Sequence, residues 1–335
     1  KLGLPGNDPR AVITAQHKFY ARTAYARVAP EAPPRFAAFP YTVRHRDQLP
    51  FELPCFVKPV KATYSVLARR IDHFEQLRRH LSFWPFEKFL IKRLVKPFND
   101  LMAWYTDYRI DAHHMIAEEL LEGVQVNLDG YVHQGEVRVL GIIDENMYPG
   151  TQAFASFEYP SRVPEDVRGR MTGLAARVLR GIGYRHGFFN MELMWQPETG
   201  RLHIIEINPR MASQLAFLYE AVDGVNPYRV ALDLALGEAP RFEHAATAHR
   251  RAASFALRKF DGKPLAAEPT RETLAQVRLD YPDARLMLYL KRGASLAREM
   301  KWLGSYRYAV VNMGAPSSDD LHRRLQDMRS RLFVE

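Results

Sequence analysis

One stretch restricts this 335-residue chain more than any other: Phe188–Arg210, where carboxylates are set into two apolar runs joined by a turn. The first run reads NMELMW and the second HIIEINPR, with Pro197, Glu198, Thr199 and Gly200 between them. Turn-forming residues between two short strand-like runs predict an antiparallel hairpin. Side chains alternate along a strand, so Glu206 and Asn208 share one face while Ile205 and Ile207 point the other way. Pairing through the turn brings Glu192 onto the face of Glu206. An exposed strand face would carry such residues as ordinary solvated groups. However, Leu193, Met194, Ile204 and Ile205 predict a buried sheet, where an acid needs a partner or a metal. Two carboxylates and an amide oxygen suit Mg²⁺ or Mn²⁺, which take oxygen ligands. Glu192, Glu206 and Asn208 are therefore the candidate metal ligands. Arg210, just past Pro209, is the candidate catalytic residue, a cationic fork for a transferred phosphoryl group or an oxyanion.

The remaining pattern is α+β. Asn7, Asp8 and Pro9 open a helix expected over residues 8–28, and the prolines from Pro30 to Pro40 break it. Phe51–Pro59 reads as a strand and 71–81 as a helix. Residues 84–108 read as an aromatic, basic helix interrupted at Pro97. VQVNLDGYV and EVRVLGII alternate around Gly130 and Gly135, as antiparallel strands do. An amphipathic helix follows from Asp166 to Ile182, and another is expected over 211–237. Beyond Ala252, short strands precede a terminal helix near Asp319–Leu332. Antiparallel sheet with covering helices is the architecture this predicts.

Hydrophobic residues make up 47% and charged residues 25%, ordinary values for a soluble globular protein. The apolar runs, such as Leu140–Ile143, are strand-sized, so no membrane partner is expected. Cys55 is the only cysteine, which excludes an internal disulfide and points to a reducing, cytoplasmic setting. The net charge of +9 is spread among acids, without a run of five basic residues or zinc-finger spacing. It suits anionic small molecules rather than nucleic acid.

IIEINPR, preceded by an acidic strand, resembles the metal-binding signature of the ATP-grasp superfamily, and other segments follow that superfamily's order. LGLPGNDPRAVITAQHKFYART resembles the segment whose helical lysine, here Lys18, reaches the nucleotide phosphates. CFVKPVKATYS resembles the lid strand and loop. Lys58 would contact the α-phosphate, with Lys61, Thr63 and Ser65 as side-chain donors. HMIAEELLEGVQVNLDGYV resembles the adenine strand and hinge. Glu118 would accept from the adenine amino group, Glu119 and Leu120 would lie beside it, and Leu121 would offer backbone atoms to the ring edge. Gln125 stands where the ribose hydroxyls are held, and PGTQAFASFEYPSRVP resembles the segment beneath the phosphates.

The resemblance implies two α+β lobes and a small C-terminal α/β subdomain. Residues 1–50 would be the leading helix and linker, 51–123 the lid lobe, 124–240 the core lobe with the metal hairpin, and 241–335 the subdomain. It implies a ligase that uses ATP and Mg²⁺ to join a small-molecule carboxylate to an amine through an acyl phosphate, with a peptide-like bond as the expected product and a homodimer as the candidate assembly. A biotin-carboxylase-like activation of bicarbonate and a non-catalytic ATP-binding module are the alternatives. Two departures stand out: the lid stretch after Lys58 has no glycine, and the sequence starts close to the lysine helix, so the α/β domain that members carry ahead of it is expected to be absent, disordered or on another chain. The aromatic segment 84–114 is read as packing within the lid, and His113 and His114 as structural.

Overall fold

A computed structural model describes residues 3–62, 66–241, 245, 247–291 and 295–333. The helix expected over 8–28 is in fact two, α1 (Pro9–Gln16) and α2 (Lys18–Val28). Asp8 caps α1 by accepting from the Arg10 N–H, and Pro9 fills the first turn. The break falls at His17, whose backbone is extended. The Lys18 N–H is thereby released to the Val60 carbonyl, 2.8 Å away. A strand, β1 (Phe36–Pro40), lies within the proline-rich stretch, where the sequence suggested only breaks. β2 (Cys55–Pro59) and β3 (Arg69–Ile71) lead to α3 (Phe74–His80) and α4 (Pro85–Tyr105). The expected interruption at Pro97 does not occur, and α4 runs through it. Pro97 is exposed, so the carbonyl deprived of its N–H partner can be met by water instead.

β4 (His114–Glu118), β5 (Val124–His133) and β6 (Glu136–Met147) follow. Gln134 and Gly135 have φ of 52° and 87°, the pair of positive values a two-residue hairpin turn requires. Next come β7 (Phe154–Tyr159), α5 (Glu165–Gly181), and the expected hairpin of β8 (Gly187–Gln196) and β9 (Arg201–Asn208). The single helix expected over 211–237 is divided into α6 (Ala216–Asp223) and α7 (Pro227–Leu236). Gly224, at φ 70°, ends the first, and the Asn226 side chain caps the second. β10 (Arg251–Lys259), α8 (Arg271–Asp280), β11 (Arg285–Leu288), α9 (Ala297–Leu303), β12 (Tyr306–Ala315) and α10 (Ser318–Leu332) complete the chain.

Two compact units emerge, one from Lys1–Val139 with Glu165–Arg210, the other from Leu140–Pro164 with Met211–Glu335. The first contains a four-stranded sheet ordered β1-β4-β2-β3 and the antiparallel ladder β5-β8-β9. Phe39, Val57, Ile71, Leu77 and Met115 form the apolar core on the four-stranded sheet, together with the buried thiol of Cys55. Each fully buried large side chain of this kind is worth about 1.5–3 kcal/mol of transfer free energy. In the second unit the ladder runs β11-β12-β10-β7 and on to the end of β6. Its core joins Phe255, Tyr308, Val311 and Met313 of the strands to Leu321 and Met328 of α10. Among the described residues no helix is long and apolar enough to cross a membrane.

Candidate functional site

The chemistry gathers in the first unit, where α2, β2, β8 and β9 each contribute charged groups. β8 and β9 pair so that Glu192 lies opposite Glu206 and Asn190 opposite Asn208. The next pair is Leu193 with Ile204, which leaves Ile205 as an extra, bulged residue. The face expected for Ile205 and Ile207 is therefore corrected: Ile204 and Ile207 are the fully buried pair, opposite Leu193 and Met191. The bulged Ile205 carbonyl is taken by the Arg22 guanidinium of α2.

The break at His17 places Lys18 at the start of α2, buried, with its Nζ 3.2 Å from the Glu206 carboxylate and 3.2 Å from the Ala62 carbonyl. Lys58 on β2 is also buried, its Nζ 2.6 Å from Glu118 Oε2. Arg22, one helical turn beyond Lys18, donates its Nε to the other Glu118 oxygen at 2.7 Å. Both oxygens of Glu118 are thus in ion pairs. The structure places this carboxylate as the anchor of Lys58 and Arg22. Burial by itself would raise the Glu118 pKa, but the two cations hold it below the usual carboxylate range. Burial pushes Lys58 downward, against the pull of Glu118.

The metal-hairpin carboxylates behave differently. Glu192 is pushed up to about 7, first by burial and then by the facing Glu206 carboxylate, with Lys58, Lys18 and Arg210 opposing. Two acids facing one another with little solvent around them want a cation between them. Among the described residues no group of three or more His, Cys, Asp or Glu side chains is arranged for a metal. The set here is two carboxylates completed by an amide: Asn208 Nδ2 lies 3.2 Å from Asn190 Oδ1 and 3.5 Å from Glu192 Oε1. Asn190 in turn donates to Asn127 at 2.6 Å and to Asp129 at 2.8 Å. Arg210 turns back on the hairpin, its N–H donating to the Asn208 carbonyl at 2.8 Å. Lys61 is drawn in as well, donating to Gln16 at 2.5 Å, and is lowered to about 8 by burial and by Lys18.

Other expected site residues lie apart. Glu119 pairs with Arg35, through its backbone N–H and its Nε, on an exposed surface. Leu120 and Leu121 are half-buried in the connection between β4 and β5, outside both ladders. Gln125 sits on β5 opposite Met194, at the parity of Asn127 and Asp129. Ser65 and Thr63 fall outside the described residues. His113 and His114 both bond Asp111, at 2.9 and 2.8 Å, as structural histidines would. Sequence reasoning missed Arg22, Asn127, Asp129 and Asn190. The signals were present: Arg22 follows Lys18 by four residues, and the polar residues of VQVNLDGYV alternate with Val126 and Leu128.

Residues 51–217 match the model of the ATP-grasp domain family. The chain is 29% identical to carnosine synthase 1 of Gallus gallus over 263 residues, covering 72% of this chain and 26% of that protein. It is 25% identical to the carbamoyl phosphate synthase large chain of Myxococcus xanthus, over 66% of this chain and 21% of that one. It therefore spans about a quarter of the length of these curated relatives. Among solved structures, the L-amino acid ligase from Bacillus licheniformis superimposes with a TM-score of 0.73 at 17% identity, over 99% of this chain and 75% of that one. The N5-carboxyaminoimidazole synthase from Aspergillus clavatus gives 0.63 at 13%, over 96% and 73%. At such identities the likeness is one of fold. With the ordered motifs, the antiparallel α+β architecture and the matched domain in agreement, the chain belongs to the ATP-grasp superfamily.

Proposed function

We propose that this chain binds ATP with Mg²⁺ and uses it to activate a carboxylate for attack by an amine. The observation that carries this reading is the gathering of Lys18, Lys58, Lys61 and Arg210 around the opposed carboxylates Glu192 and Glu206. So many cations beside two half-buried acids suit a polyphosphate carried with a divalent ion. Glu192, Glu206 and the Asn208 amide would hold that ion, and its positive charge would relieve the repulsion that now raises Glu192. When bound it would supply charge neutralisation for the phosphates.

Lys18, held on Glu206, would be the cation nearest the hairpin for a phosphate oxygen. Lys58, fixed by Glu118 and Arg22, would meet a second phosphate with little reorganisation. A substrate carboxylate oxygen would attack the γ-phosphorus as the bond to ADP breaks, and Arg210 would stabilise the transferred group. The amine nitrogen would then attack the acyl carbon, expelling phosphate and losing a proton. Most of the acceleration would come from positioning and charge neutralisation. The likeness to a carnosine synthase and to an L-amino acid ligase supports an amino-acid or peptide-like product. Residues 51–123 would act as the lid lobe, and the lone buried Cys55 suits a reducing cytoplasm.

Calorimetry of ATP with and without Mg²⁺, on this chain and on Glu206→Gln, tests the site. Magnesium-dependent binding lost in the variant supports it, and equal binding by both proteins removes it. Release of ADP should then require a carboxylate and an amine together. Phosphate release with bicarbonate and biotin alone would favour a biotin-carboxylase-like reaction. Binding without turnover on any pair would leave a nucleotide-binding module.

A further inference from the structure

The hydrogen bonds behind the metal hairpin run in one direction, and that direction bears on which atom of Asn208 can reach a cation. Asn127 and Asp129 of β5 and Asn190 of β8 are all buried. Asp129 stands opposite Asn190, and Asn190 stands opposite Asn208. One row of side chains thus crosses from β5 through β8 to β9, on the face that carries Glu192. The Asn190 Nδ2 donates to Asp129 Oδ1 at 2.8 Å and to Asn127 Oδ1 at 2.6 Å. The other end of the same amide, Asn190 Oδ1, accepts from Asn208 Nδ2 at 3.2 Å.

An asparagine amide has two ends of nearly equal shape and opposite hydrogen-bonding character. Two facing asparagines can therefore pair either way round. A carboxylate has no such choice, because in its ionised form it only accepts. Asp129 draws the Asn190 NH2 toward β5, and this turns the Asn190 oxygen toward β9. Asn208 answers with its own NH2, and its Oδ1 becomes the end that a cation can take. Only that orientation serves Mg²⁺, which is bound through oxygen. Asn127 cannot impose the same order, since its amide can present either end to Asn190.

We propose that Asp129 is a positioning residue: acting through Asn190, it fixes which end of the Asn208 amide faces the metal. The inference rests on the Mg²⁺-ATP reading and gives a role to an acid that lies two hydrogen bonds from Asn208. That role is one of orientation rather than of charge.

Calorimetric titration with ATP at a series of Mg²⁺ concentrations, and without Mg²⁺, tests it. Asp129→Asn keeps the shape of the side chain and removes the group that can only accept. It should weaken Mg²⁺ affinity by about 10- to 100-fold, as loss of a residue orienting a metal ligand does, and leave metal-free ATP binding unchanged. In an Asn208→Asp background, position 208 offers oxygen at both ends, so Asp129→Asn should cost less than about threefold. Loss of negative charge alone would act equally in both backgrounds, and that result would overturn the proposal. So would unchanged Mg²⁺ affinity in Asp129→Asn, or a loss of ATP affinity that is the same with and without Mg²⁺. The paired exchange Asp129→Asn with Asn190→Asp covers the case in which the single variant fails to fold. It rebuilds the bond between the two positions and again turns an acceptor toward Asn208. It should bind Mg²⁺ no more weakly than the unsubstituted chain, and a loss of about tenfold would overturn the proposal. Absence of Mg²⁺-dependent ATP binding by the unsubstituted chain would remove the Mg²⁺-ATP reading itself, and this role with it.

Discussion

Arg22 is the residue on which the first unit's electrostatics turn. Fully buried, it bonds Glu118 and the Ile205 carbonyl, and so ties the strand beside Lys58 to the strand bearing Glu206. Removing one partner of a buried ionic cluster strands the others, at about 3–5 kcal/mol. Arg22→Ala should lower stability by that order in urea titration; a loss below about 1 kcal/mol would mean Glu118 is satisfied without it. His17 makes a pH prediction. Burial lowers its pKa to about 4, although the Ile110 carbonyl, 2.9 Å from Nε2, pulls the other way. The unfolded chain therefore takes up the proton first. The contribution is fully present above about pH 6.5 and is lost as pH falls toward about 4, amounting to ~3 kcal/mol. His17→Gln should flatten that part of the stability–pH curve, and an unchanged slope would place the titration elsewhere. None of these partnerships was legible beforehand, because Arg22 lies 96 residues from Glu118 and 183 from Ile205.

Among the elements, the β8–β9 hairpin followed most directly from sequence, since its turn residues and its alternation are local properties. Its register did not, because the bulge at Ile205 answers a hydrogen bond from α2. The division of residues 8–28 into α1 and α2 was equally hidden: the broken helix is completed by Val60, on the loop after β2. Pro97 shows the reverse case, a local break signal overridden where the freed carbonyl faces water. Gly130 on β5 offers a test of close packing. A methyl group there would sit 2.3 Å from the Arg138 carbonyl oxygen and 2.7 Å from the Phe189 ring. Gly130→Ala should therefore cost ~2–3 kcal/mol and lower the melting temperature. A neutral substitution would show that β5 can move away from its neighbours.

For the whole molecule, the decisive feature is that every described residue of the candidate site belongs to the first compact unit. ATP with Mg²⁺ at about 100 times its dissociation constant should stabilise the protein by ~2.7 kcal/mol. The accompanying slowing of hydrogen exchange should include α1–α2, β2 and the β8–β9 hairpin, and Glu206→Gln should abolish it. Protection confined to the second unit would place the nucleotide elsewhere. The sequence by itself determined the α+β class, the hairpin and the identity of its acids, because alternation, turn chemistry and motif order act over a few residues. Only the tertiary structure decided that Glu118 anchors Lys58, that Ile205 bulges so that Glu192 faces Glu206, and that α4 leaves Phe86, Leu94 and Trp104 exposed. Those outcomes depend on which distant groups are left to satisfy a buried charge, a carbonyl or an apolar face, and such pairings exist only once the chain has folded.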